Sequence, residues 1–136
     1  MKKFFVLFFS IALLTACSED DNTSPDPVLG KWFVAEVNNI PGSDFTLSEC
    51  NTNSNITFNA AGTTNSKFSS QVDGICIEGT ETNSVWSKQA GIYSFTIPIP
   101  ELDPISPLSG TIQFNGDTFT FTPIISPGTT IVFKKG

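Results

Sequence analysis

The chain contains no histidine, and that absence sets the first bound on its chemistry. Without an imidazole, neither a Ser-His-Asp nor a Cys-His nucleophile system can be assembled, and the commonest metal ligand goes with them. Carboxylates are the remaining acid–base groups. Glu36 with Glu78 or Glu81, across neighbouring strands, is a conceivable pair, but glycosidase chemistry needs two carboxyls at a fixed separation. Isolated acids on alternating strands are ordinarily solvated, so no enzyme is expected. Asp20, Asp21 and Asp26 are hard oxygen ligands without a D-x-D-x-D-G loop around them, so neither metal nor cofactor is expected. The remaining reactive groups are three cysteines, Cys17, Cys50 and Cys76.

Cys17 is read from what surrounds it. Lys2 and Lys3 precede FFVLFFSIALL (residues 4–14), a basic start and an apolar run that make a secretory signal too short to span a bilayer. Leu14-Thr15-Ala16-Cys17 then resembles the bacterial lipobox. That resemblance implies cleavage after residue 16 and a diacylglycerol thioether on Cys17, with a further acyl chain such as palmitate on its amino group. Two or more chains anchor a protein stably where one does so only marginally. An ordinary signal-peptide cleavage near residues 12–16 is the alternative. Ser18-Glu19-Asp20-Asp21 resembles the export tag of Bacteroidetes lipoproteins, which implies the outer face of the outer membrane. A plain acidic tether on the periplasmic leaflet is the other reading.

With Cys17 acylated, Cys50 and Cys76 form the one available pair, in a compartment where disulfides persist. Two buried free thiols would be the bland alternative. After Cys17 there are five lysines (31, 67, 88, 134, 135), thirteen acids and no arginine. A basic footprint for nucleic acid is therefore missing, and membrane attachment falls to lipid rather than to charge. Residues 17–28 read as an acylated terminus and flexible tether. Residues 29–136 suffice for one compact domain, expected as a monomer.

The elements that must position any site are strands. Apolar residues alternate with period two in eight segments: residues 29–37, 55–60, 63–70, 79–88, 91–97, 110–116, 118–122 and 129–135. Asn115-Gly116-Asp117 is a tight hairpin signal. No helix of ten residues is expected after residue 28. Such a chain reads as all-β, an antiparallel sandwich or an up-and-down barrel. Two connections are long, residues 38–54 and the proline-rich 98–109, and long connections commonly carry recognition.

Leu29-Gly30-Lys31-Trp32 at the start of the first strand resembles the G-x-W signature of lipocalins. The wider order is similar to the small lipocalin-like lipoproteins of Bacteroidetes: Cys50, then ITFNAAGT (residues 56–63), Cys76, Gly91 and Tyr93, and a closing IVFKK (residues 131–135). The resemblance implies an eight-stranded antiparallel up-and-down barrel, closed near Trp32 and open at the other end. Gly30 and Trp32 are then structural. Lipocalins proper often pack an arginine over that tryptophan, and this chain has none. Phe58, Phe68, Phe95, Phe114, Phe119, Phe121 and Phe133 recur on single strand faces, and together with Trp86 they are the candidate lining of a pocket. A barrel filled by those same side chains is the competing picture. The expectation is a lipid-anchored, non-catalytic protein that binds a small apolar or amphipathic ligand. A surface accessory protein contacting protein or glycan through its exterior is the alternative.

Overall fold

The computed structural model describes residues 24–136. The signal segment 1–16, Cys17 and the acidic cluster after it lie outside the described residues. Eleven strands form: β1 (Gly30–Asn38), β2 (Asn55–Phe58), β3 (Thr63–Lys67), β4 (Ser69–Val72), β5 (Ile75–Glu78) and β6 (Thr82–Val85) in the first part. They are followed by β7 (Ser87–Gln89), β8 (Ile92–Phe95), β9 (Leu108–Asn115), β10 (Thr118–Pro123) and β11 (Thr130–Lys135). Nine of them make one antiparallel sheet in the order β6-β3-β2-β1-β11-β10-β9-β8-β7, and β4-β5 stand apart as a hairpin.

The two edges of that sheet are consecutive pieces of chain. β6 and β7 are separated by Trp86 alone, so one broken strand supplies both edges and rolls the sheet into a barrel. The sheet has nine strands where the sequence suggested eight, and the difference is this break. β6 pairs with β3 through Thr63↔Val85, while β7 pairs with β8 through Ser87↔Ser94. Between them the Trp86 N–H donates to the Gly62 carbonyl at 2.9 Å, and its indole donates to the Asn59 carbonyl at 2.9 Å. β1 closes the meander by pairing with β11, with a bulge between Val34 and Glu36. The bulge turns Glu36 to solvent and half-buries Val37.

The period-two alternation is what fills the inside. In β10 half-buried and buried residues alternate, and Phe119 and Phe121 from it are fully buried beside Phe133 and Ile131 of β11. The rings interlock: Trp32 meets Phe119 edge-on at 4.6 Å, Phe119 stacks on Phe133 at 4.7 Å, and Phe58 meets Phe95 at 5.0 Å. Edge and offset contacts of this kind add to the burial energy of each ring.

The domain begins earlier than the expected boundary at Leu29. Val28 is fully buried, and its carbonyl accepts the Trp32 indole N–H at 2.6 Å. Asp26 is fixed too, accepting from the Val28 N–H (3.0 Å), the Tyr93 hydroxyl (2.9 Å) and Lys88 (3.0 Å). Two residues expected in a flexible tether are thus parts of the closed end. Gly30, at φ +111°, makes the entry into β1 with a backbone geometry that L side chains rarely adopt.

Candidate functional site

The long connections gather at the end of the barrel away from Gly30, and they close it rather than leaving it hollow. Residues 38–54, the β4-β5 hairpin and residues 96–107 all lie there. A two-turn 3-10 helix, Pro100–Ile105, lies across the opening, and Leu102 from it is buried in the core. Four of the candidate lining residues, Phe58, Phe95, Phe119 and Phe133, are at most 2% exposed and pack on one another. Phe121 is fully buried with them, and Trp86 and Phe114 pack partly buried against the same cluster. These side chains therefore form the core, because an eight-strand interior is only just wide enough for its own large residues. Phe68 alone of the set borders a surface cleft.

That cleft exists because the barrel wall is unzipped above Trp86. β8 pairs with β7 up to Ser94, and no strand pairing joins β6 to the residues after Phe95. The gap is bridged by a single hydrogen bond between the Ser84 and Thr96 hydroxyls, at 3.1 Å. Beyond it lies a cleft of ≈ 320 Å³. One wall carries the hydroxyls of Ser66, Ser70, Thr80 and Thr82, and the other is Thr96, Ile97 and Pro98. Phe68, Gly79, Ile99, Pro100 and Asp103 complete it, and no lysine lines it.

On the other side of the 3-10 helix is an apolar cleft of ≈ 290 Å³ between Ile40, Leu102, Ile105 and Ile125. Ile105 and Ile125 are 50% and 67% exposed there, and Ile124, next to Ile125 in the chain, is 57% exposed. The mouth thus presents two surfaces of different character, separated by one short helix.

The mouth is held on its far side by a disulfide and a buried polar knot. Cys50 and Cys76 are bonded, with their Cα atoms 5.4 Å apart. Beside them Asn51 donates to the Ser69 carbonyl at 2.8 Å, and the Ser69 N–H donates to the Ser54 hydroxyl at 2.8 Å. The 38–54 connection is thereby tied to the β4-β5 hairpin covalently and by hydrogen bonds. The hairpin itself went unread in the sequence, although Val-Asp-Gly-Ile carries the signal. Asp73 and Gly74 both have positive φ, as a two-residue type I′ turn needs.

Carboxylates do not converge. Glu78 is exposed and paired with Lys67 at 2.6 Å, and Glu36 and Glu81 are exposed on β1 and just before β6. Among the described residues no group of three or more His, Cys, Asp or Glu could hold a metal ion. The strongest electrostatic site is at the closed end. Burial pushes the Asp26 carboxyl pKa up, but hydrogen bonds from Val28, Lys88 and Tyr93 outweigh it and hold the value below 3.8. Burial, first, raises the Tyr93 hydroxyl above its usual 10.0. The Lys88 ammonium also lies 4.9 Å over the Tyr93 ring.

Sequence reasoning also passed over Lys135. Its ammonium sits 4.7 Å over the Trp32 ring and donates to the Leu29 carbonyl at 3.2 Å. A cation does cover the G-x-W tryptophan, supplied by lysine from the last strand, which pairs Trp32↔Lys135.

Comparison with known proteins agrees with this frame. Residues 28–122 match a family described as lipocalin-like domain, and residues 1–18 match a prokaryotic membrane lipoprotein lipid attachment site. The second match ends just past Cys17. No curated protein and no solved structure matches the chain. No helix among the described residues is long and apolar enough to cross a membrane.

Proposed function

Given that the chain belongs to the lipocalin-like domain family and is a membrane-anchored lipoprotein, we propose that it is a non-catalytic binding protein of the cell envelope whose site is the mouth cleft. Its ligand is small and amphipathic. The observation that carries this reading is the unzipped wall above Trp86, which opens a cleft at the rim of an otherwise filled barrel. The cleft's size is at the lower end of small-molecule pockets, and it has one apolar and one polar wall. The absence of histidine from the chain and the scattered carboxylates support a role without catalysis.

The anchor adds direction. Nine peptide units separate Cys17 from Asp26, a span of at most about 30 Å when fully extended. Asp26 belongs to the closed end, and attachment there favours a mouth directed away from the membrane. The acidic residues 19–21 resemble a Bacteroidetes export tag, and they support placement on the outer face of the outer membrane. The protein would work there as a monomer.

Native mass spectrometry of the acylated protein, after exposure to envelope extract, tests the binding reading. A reproducible bound mass that disappears in Thr82→Trp, which would fill the cleft, is expected. Apo protein alone, from every extract, would contradict it. A second reading is favoured by the exposed Ile105, Ile124 and Ile125, which suit contact with a partner protein. In that case the extract would yield a protein complex instead.

A further inference from the structure

We propose that the mouth cleft selects a neutral, polyhydroxylated ring, a pyranose either free or at the end of a longer glycan. This rests on the cleft being the binding site and names the chemistry it would take.

The polar wall is built by strand register. Thr64 lies opposite Ser84 and Ser66 opposite Thr82, so these four residues share one face of the β3–β6 pair, buried at Thr64 and Ser66 and exposed at Thr82. Thr96 extends the block through its hydrogen bond to Ser84, and Ser70 and Thr80 continue it at the rim. At its deep end the Thr64 hydroxyl is buried with no hydrogen-bond partner among the described residues. Thr64 and Ser66 are the buried members of this block; Ser70 and Ser84 are half-buried, and Thr80 and Thr82 are exposed, so the row of hydroxyls runs from the edge of the core out to solvent.

Each candidate ligand class meets this wall differently. A hydroxyl both donates and accepts, so it pairs with sugar hydroxyls in either orientation. A purely apolar ligand would leave the row of hydroxyls desolvated and unpaired, which is unfavourable. An anion would face Asp103 with no lysine in the lining to offset it. A cation would find one carboxylate only, at the solvent-exposed rim. A neutral pyranose uses every part: hydroxyl groups on the Ser/Thr wall, two of them on Asp103, and its C–H face on Phe68. The negative face of an aromatic ring suits such C–H groups.

Methyl-labelled Thr and Ile NMR of the acylated protein in nanodiscs reads the cleft directly through Thr80, Thr82, Thr96 and Ile97. The probes are methyl glycosides of glucose, galactose, mannose and N-acetylglucosamine, their β-linked disaccharides, glucuronate, and octanol. Saturable shifts at these methyls with at least one neutral glycoside, and none with glucuronate, are expected. A disaccharide binding tenfold tighter than its monosaccharide would assign a glycan end; equal affinity would assign the free sugar. Thr82→Val, which keeps the shape of an exposed residue and removes its hydroxyl, should weaken binding at least tenfold while the Ile56 and Ile131 methyls keep their positions. Octanol binding at these methyls without any glycoside would overturn the sugar assignment and leave the cleft as the site. Silence of these methyls towards every glycoside would overturn it as well, whatever the mass spectrometry of envelope extracts shows.

Discussion

At Asp26 one carboxylate accepts from the Val28 N–H, the Tyr93 hydroxyl and the Lys88 ammonium, joining the start of the domain to β7 and β8. Its folded pKa is lowered, so it contributes stability above its ordinary value of 3.8 and loses that contribution as pH falls through the lower folded value. Asp26→Asn should therefore cost about 1–2 kcal/mol at neutral pH. Urea unfolding at neutral and at acid pH should show the two proteins converging once the carboxyl is protonated in both states. Lys135 makes a second residue-scale prediction. Lys135→Met keeps the stem over Trp32 and removes the charge, and should lower stability by about 0.5–1 kcal/mol in the same measurement. Neither residue announced its role. Asp26 sits in a proline-flanked polar stretch that composition assigns to a tether, and a lysine in a terminal KK pair reads as solvated. Trp32 and Gly30 were legible because a motif marks them, whereas their partners are chosen by closure of β1 on β11.

At the scale of elements, alternation made the strands readable and chain breaks made them miscounted. The run 79–88 reads as one strand. The chain does pass straight through it, but Trp86 turns its indole to the Asn59 carbonyl and hands the pairing from β3 to β8. The run 63–70 hides the start of a hairpin, because β4 is mostly polar and the short apolar stripe of Val72, Ile75 and Ile77 faces solvent instead of the core. That hairpin stands outside the barrel sheet and depends on Cys50–Cys76 and the Asn51–Ser69–Ser54 knot. The disulfide pairing itself followed from the cysteine count once Cys17 was set aside. Replacing Cys50 and Cys76 together by alanine should cost about 3 kcal/mol. Hydrogen exchange should show the loss concentrated in β4, β5 and residues 48–54, with β10 and β11 still protected. Uniform loss of protection would mean that the hairpin is integral to the barrel.

For the whole molecule, the phenylalanine stripes were visible in the sequence, but their use was not. Inward-facing rings on eight short strands either line a void or fill it, and only three-dimensional packing decides; here Phe58, Phe95, Phe119 and Phe133 fill it. Binding is thereby displaced to the rim, where the wall opens and the hydroxyls collect. The cleft was beyond reach from sequence, since it arises from where two strands stop pairing. The most direct test of a filled barrel with its site at the mouth is methyl NMR of the anchored protein before and after incubation with envelope extract. Shifts confined to Thr80, Thr82, Thr96 and Ile97 at the mouth are expected, with Ile56 and Ile131 in the interior unmoved. Shifts centred on Ile56 and Ile131 would place the ligand inside the barrel and contradict it.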